Sequence, residues 1–235
     1  MSSIGDRKNT NKELLCWVLT NSKYHNTRVP AVNLTWINRC DYGIFFTDKP
    51  MQDNRVPHLP LFHDLPNNYF NSHNKTIRAF MYAYRNISDK FEWYYRVGSW
   101  IYQYNKTFPD NGYNQGGGYV LSNKALQLLV EEIEKNDTFC KEYLFEDLSV
   151  AKCLEKLNIY PESTAENGQH RFLPFSFTEH YYNMFMLERY RILTEPINKG
   201  YDLFHPDLID IHHTKPNEML LIDLMLYRIN VEKNL

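Results

Sequence analysis

The beginning of the chain constrains the fold most, because it reads as a strand, a helix and a second strand. Apolar residues concentrate in the two predicted strands, Glu13–Thr20 and Tyr42–Thr47. Between them, Arg28–Arg39 has apolar residues at helical spacing and Pro30 in its first turn. This order predicts two parallel strands joined by a right-handed crossover. It favours an open α/β domain whose ligands bind beyond the carboxyl ends of the strands.

Polar residues occupy both of these predicted carboxyl ends. Thr20 closes the first strand, and Asp48 directly follows the second. They are candidate ligand-binding residues, although simple capping of strand ends explains them equally well. The loop Lys49–Ser72 contains His58 and His63, but no partner ligand stands at helical or strand spacing from them. No metal site is therefore predicted in this loop.

A second informative stretch runs from Asn111 to Cys153. Three consecutive glycines, Gly116, Gly117 and Gly118, precede a short apolar run that begins at Tyr119. Glycines allow backbone angles and close approaches that other residues do not. They indicate either a bulge before a buried strand or the floor of a pocket.

Two helices are predicted after the glycines. The first begins at Ser122 or Asn123 and runs to about Lys135, and the second opens near Glu146 and Asp147. Acidic residues are common in the first turn of any helix, so this pair is not specific alone. Behind a glycine-lined pocket, however, such a carboxylate can act as a general base.

The other predicted elements are weaker. They are a helix over Asn74–Ile87, strands over Phe91–Val97, Asn158–Ser163 and Leu208–His213, and a helix over Met219–Tyr227.

Composition narrows the class of protein. The 235 residues are 43% hydrophobic and 23% charged, which is ordinary for a globular protein. We expect a disordered or stem-like leader over residues 1–12 and a single domain over 13–235. A net charge of −2 gives no electrostatic case for nucleic-acid binding. The polar leader contains no signal peptide, and no segment is apolar over the length of a membrane span.

The cysteines are even in number and include no C-x-x-C pair, which argues against a zinc ribbon. Three disulfide connectivities are open, and four buried thiols are the alternative. Five N-x-S/T sequons favour the secretory pathway. The four cysteines are Cys16, Cys40, Cys140 and Cys153.

Two motifs resemble those of a known family. The run GGGYVLSNKAL at 116–126 is followed by FEDLSVAKCLE at 145–155. This order resembles the core 1 β1,3-galactosyltransferases of the Fringe-like glycosyltransferase family, in which a glycine-rich run precedes an E-D-L/V motif and a cysteine. LCWVLT at 15–20 also matches, and the resemblance covers most of the chain from Leu14 to Asn230.

The resemblance implies a single GT-A-like (Rossmann-like) domain of the α/β class, with a mixed, mostly parallel central sheet flanked by helices. It implies transfer of galactose from UDP-galactose in β1,3 linkage to O-linked N-acetylgalactosamine on glycoproteins, with inversion at the anomeric carbon. It also implies a membrane-associated location in the Golgi lumen. A homodimer is a candidate assembly for this chain.

The resemblance also assigns roles to residues. Asp147 is the expected base, with Glu146 orienting or replacing it. The Mn²⁺ of the family would use His212 as a ligand. Cys16 would pair with Cys40, and Cys140 with Cys153. The donor-binding residues would be Thr20, Asp48 and Lys75, and the acceptor pocket would include Gly116, Gly117, Gly118 and Tyr119.

One departure of this sequence from the family pattern leaves two functions open. The family has a metal-binding D-x-D motif after the strand that matches Phe91–Val97, but no D-x-D occurs in this chain. We expect the domain to be internally shortened near residues 95–97, with loss of part of a central strand and unpaired backbone groups beside it. The chain is then either a transferase or a non-catalytic relative with a chaperone-like or sugar-binding role.

Overall fold

A computed structural model describes residues 13–68, 71–97, 118–142, 145–173, 175–182, 198 and 200–229. The predicted leader, Gly116 and Gly117 lie outside the described residues.

A five-stranded sheet forms the centre of the protein. Its spatial order is β3-β2-β1-β4-β5, and every neighbouring pair is parallel except β4 with β5. The sheet is therefore mixed and mostly parallel, and it confirms the predicted α/β class. The strands are β1 (Leu14–Leu19), β2 (Tyr42–Phe46), β3 (His58–Leu59), β4 (Trp93–Val97) and β5 (Gly118–Ser122).

Helices cover both faces of this sheet. They are α1 (Arg28–Leu34), α2 (Ser72–Tyr82), α3 (Asn123–Lys135), α4 (Glu146–Glu155), α5 (Phe177–Tyr182) and α6 (Pro216–Asp223). A π-helical turn extends α2 over Ala83–Ile87 and α6 over Leu224–Arg228. A small parallel pair, β6 (Phe172–Leu173) and β7 (Asp210–Ile211), forms a second sheet.

Two apolar clusters hold these layers together. Trp17 and Phe46 point to one face of the sheet, where they pack with Phe80 of α2 and Leu126 of α3. The opposite face contributes Phe45 to a smaller cluster with α1. The alternation of side chains along each strand explains why one sheet supplies both clusters.

Several element boundaries differ from those predicted. The helix predicted over 28–39 ends at Leu34, because Thr35 donates its hydroxyl to the Ala31 carbonyl and a 3-10 turn follows. The long loop after β2 contains the short edge strand β3. The strand predicted over Leu208–His213 contains only the two residues of β7, because the positive φ of His213, 59°, ends the extended run.

The strand predicted over Asn158–Ser163 is wrong. Asn158 adopts a left-handed conformation with φ of 57° and closes the end of α4. The amide of Ile159 then donates to the carbonyl of Leu154. This is a helix C-cap that asparagine favours, and it competes with strand formation.

The expected unpaired backbone beside β4 is also not found within residues 93–97. Each residue of β4 has a partner in both β1 and β5. Trp93–Val97 therefore forms a complete internal strand of the described sheet.

Both disulfides have the connectivity that the resemblance implied. Cys16 of β1 bonds to Cys40, just before β2. Cys140 bonds to Cys153 of α4 and ties the middle of the α3–α4 loop to that helix.

Candidate active site

The predicted donor residues meet at the carboxyl ends of β1 and β2. The amide of Thr20 donates to the Phe46 carbonyl at 2.9 Å, which holds the two strand ends together. Asp48 then accepts from the amide of Ser22 at 2.6 Å and from its hydroxyl at 3.0 Å. The loop after β1 is therefore fastened to the end of β2.

An amide that the sequence did not single out joins Asp48 to Lys75. Asn67 donates from Nδ2 to the Asp48 Oδ2 at 2.5 Å, and the Lys75 Nζ donates to the Asn67 Oδ1 at 2.7 Å. Asp48 and Lys75 are buried, whereas Asn67 is exposed. The structure thus brings Thr20, Asp48 and Lys75 into one region.

The pKa values of Asp48 and Lys75 are set by different balances between burial and neighbouring groups. Burial alone would raise the pKa of Asp48, but hydrogen bonds from Ser22 and Asn67 hold it below its usual value. Burial lowers the pKa of Lys75, and the nearby Asp48 opposes that effect. The hydrogen bonds favour an ionised Asp48 in the absence of a ligand.

The acidic pair at the start of α4 divides into two different environments. Glu146 is buried and uses both carboxylate oxygens. Its Oε2 lies 2.6 Å from Nη2 of the fully buried Arg96, and its Oε1 accepts from the Tyr119 hydroxyl at 2.7 Å. Glu146 therefore holds α4 against β4 and β5, and both of its carboxylate oxygens are already engaged by protein donors.

Asp147 has the more open bonding arrangement. It is 7% exposed, and its Oδ1 accepts from the amide of Leu148 at 2.9 Å. Burial, with a further contribution from the neighbouring Glu146, raises the pKa of Asp147 to about 7. A carboxyl with this pKa can take up a proton near neutral pH, as general-base catalysis requires.

Close packing against Tyr95 explains why β5 begins with a glycine, Gly118. A Cβ on Gly118 would lie 3.0 Å from Cε2 of Tyr95 and 3.1 Å from its hydroxyl. The Tyr95 hydroxyl in turn bonds to the Asp210 carboxylate, and burial raises the pKa of Asp210 to about 7. Tyr119, the other described residue of the predicted pocket, is occupied by its bond to Glu146.

Sequence reasoning missed Arg96, Tyr95 and Asp210. A charged residue inside the otherwise apolar strand Phe91–Val97 was the available signal for Arg96, since a buried strand accepts a cation only with a partner. Nothing local marked Asp210, because its partner Tyr95 is distant in sequence.

His212 has one property of a metal ligand. It is 6% exposed, its Nε2 has no hydrogen-bond partner in the described residues, and burial lowers its pKa to about 3, so the ring is neutral. However, no group of three His, Cys, Asp or Glu side chains in the described parts of the chain is placed to hold a metal ion. His212 alone does not make a complete site, and Mn²⁺ stays a prediction from the resemblance.

A known protein is similar to this chain over almost its whole length. No protein-family model matches the chain. The chain is 23% identical over 258 residues to the glycoprotein-N-acetylgalactosamine 3-beta-galactosyltransferase 1 of Xenopus laevis, with 97% of this chain and 70% of that protein covered. It is similar to a glycosyltransferase. This similarity and the GT-A-like sheet support a relationship with glycosyltransferases, whereas the internal shortening near residues 95–97 stays a prediction.

None of the described helices combines the length and the apolar character needed to cross a bilayer.

Proposed function

We propose that this protein is an inverting glycosyltransferase of the core 1 type. It would transfer galactose from UDP-galactose in β1,3 linkage to O-linked N-acetylgalactosamine on glycoproteins in the Golgi lumen. The observation that carries this proposal is Asp147, a buried carboxyl at the start of α4 whose pKa is raised to about 7. The similarity to a protein named as a galactosyltransferase supports the proposed donor and acceptor classes.

The reaction needs a base beside the acceptor hydroxyl. Ionised Asp147 takes the hydroxyl proton as the acceptor oxygen bonds to the anomeric carbon of the donor. The bond from that carbon to the diphosphate oxygen breaks on the opposite face, and UDP leaves with the electron pair. Glu146 orients the start of α4 through Arg96 and Tyr119, and its negative charge helps to keep the pKa of Asp147 high.

The donor would bind beyond the carboxyl ends of β1 and β2, where open α/β sheets bind nucleotides. Lys75 supplies a cation in this region, and Asp48 with Thr20 shapes the adjoining loop. If Mn²⁺ binds, it would neutralise charge on the departing diphosphate. His212 is the candidate ligand among the described residues.

A non-catalytic relative is the second candidate function. The absence of D-x-D from the sequence favours it, as does the lack of a three-ligand metal group in the described residues. Such a protein would bind sugars or act as a chaperone for active transferases.

Binding of UDP, measured by calorimetry with and without Mn²⁺, separates these functions. If the protein is a transferase, we expect it to bind UDP. We also expect it to release UDP from UDP-galactose when an N-acetylgalactosaminyl peptide is added. Absence of UDP binding in both conditions would overturn it and leave the non-catalytic relative. Binding without transfer would support a sugar-nucleotide-binding relative.

A further inference from the structure

We propose that Asn67 is a positioning residue that keeps the Lys75 ammonium available for the diphosphate of a nucleotide. It does so by standing between that ammonium and the Asp48 carboxylate. This inference rests on the proposed function, because it concerns the donor side of the same site.

The geometry around Asn67 is that of a neutral spacer. Its amide nitrogen faces the Asp48 Oδ2 at 2.5 Å, and its amide oxygen faces the Lys75 Nζ at 2.7 Å. The two charges belong to different parts of the fold, the loop directly after β2 and the first turn of α2. Asn67 lies exposed above them, while both are buried.

A buried lysine and a buried aspartate in one region would normally form a direct ion pair, since an unpaired buried charge is costly. Here the oxygens of Asp48 accept from Ser22, Thr47 and Asn67 instead. The Lys75 ammonium has three donors, and Asn67 is its one hydrogen-bond acceptor among the described residues. Its charge is therefore held in place by a dipole and is not cancelled by an anion at contact distance.

The position of Lys75 suits an anionic ligand. It lies in the first turn of α2, where the backbone amides of a helix favour negative charge. The same region adjoins the carboxyl ends of two parallel strands. A diphosphate group carries the charge and the acceptor oxygens that complement this ammonium.

The test is the variant Asn67→Asp, matched by Asn68→Asp. Both add one negative charge to the same exposed loop, but only the first places it against Lys75. We expect N67D to bind UDP about tenfold or more weakly than N68D, because a contacting carboxylate neutralises the ammonium. In a Lys75→Gln background, N67D should cause little further loss.

A second ligand separates positioning from a general structural role. Uridine lacks phosphates, so its affinity, measured by ligand-observed NMR, should be the same in N67D and N68D. Equal UDP binding by the two variants would overturn the inference, and so would an equal loss of uridine and UDP binding in N67D. If the wild-type protein binds no UDP, the proposed donor function fails and this inference fails with it. If the wild type binds UDP but N67D and N68D bind it equally, only this inference fails.

Discussion

At the scale of single residues, neighbouring carboxyls have different chemistry because their contacts differ. Glu146 is committed to Arg96 and Tyr119, whereas Asp147 accepts one backbone bond and is otherwise desolvated. Burial of a carboxyl without compensating donors favours its neutral form. The pair therefore contains one structural carboxylate and one group able to exchange a proton near neutral pH.

Replacing Asp147 should separate activity from stability. We expect Asp147→Asn to lower the transfer rate by about 10²- to 10⁴-fold, because a general base contributes that much, with little change in UDP affinity.

The raised pKa of Asp147, about 7 against the usual 3.8, also means that unfolding releases a proton between these two pH values. The stability of the wild type therefore falls as pH rises across this window. D147N should therefore be more stable than the wild type at pH 7, as measured by thermal unfolding.

The matched control is Asp137→Asn in an exposed loop, which should change neither quantity. In the wild type, the transfer rate should rise with pH through an apparent pKa near 7, as Asp147 ionises. A D147N variant with full activity would assign the base to another residue.

Buried histidine gives the opposite dependence of stability on pH. His180 is 1% exposed, its Nε2 accepts from the amide of Phe175, and burial lowers its pKa to about 4. The folded state resists a proton that the unfolded chain takes up near 6.5, so stability is lost as pH falls from 6.5 towards 4. We expect this loss to be on the order of 3 kcal/mol.

The variant His180→Gln keeps an acceptor for Phe175 but cannot be protonated. Its stability, measured by denaturant unfolding at several pH values, should depend less on acid than that of the wild type. The exposed His63→Gln serves as control and should behave like the wild type. An unchanged acid dependence in H180Q would assign the effect to other buried histidines.

At the scale of elements, α4 matters most because it carries the acidic pair. Two connections hold it from different directions: the Arg96–Glu146 ion pair at its first turn and the Cys140–Cys153 disulfide towards its end. The disulfide spans 13 positions of sequence and links the middle of the α3–α4 loop to the later half of α4. Together they fix the position of α4, and therefore the direction in which the side chain of Asp147 points.

Removal of this disulfide should loosen α4. We expect the double variant Cys140→Ala/Cys153→Ala to lose about 3 kcal/mol of unfolding free energy, the value typical of a loop of this length. Denaturant unfolding measures the loss, and UDP binding reports whether the donor region, built on other elements, is retained. Equal stability of the variant and the oxidised wild type would contradict this prediction.

At the scale of the whole molecule, the central sheet is continuous across its five strands. β4 pairs with the parallel β1 on one side and the antiparallel β5 on the other. The shortening expected near residues 95–97 therefore leaves no unpaired edge within β4. We expect a continuous sheet covered on both faces to unfold cooperatively.

Calorimetry tests this cooperativity. We expect a single transition with an unfolding enthalpy on the order of 150 kcal/mol, from the usual value per residue near 60 °C. The calorimetric and van't Hoff enthalpies should agree. A broad transition of much smaller enthalpy would instead support the partly unfolded chain that loss of a strand predicts.

The sequence by itself determined the α/β class, the strand–helix–strand entry and the carboxylate pair at the start of α4. These rest on local signals: apolar periodicity, a Ser122 cap whose side chain accepts from the Ala125 amide, and acidic residues in a first turn. It also located Asp48, because strand ends are visible in the order of residues, whereas Lys75 was selected through the resemblance to the family.

Only the tertiary structure decided which of these groups are free to act. Arg96 and Tyr119 meet Glu146 from separate strands, and Asn67 joins Asp48 to Lys75 from a loop. Asp210 reaches Tyr95 across nearly half of the chain. Hydrogen bonds and burial between residues distant in sequence set the charge of each group, and no local pattern encodes them.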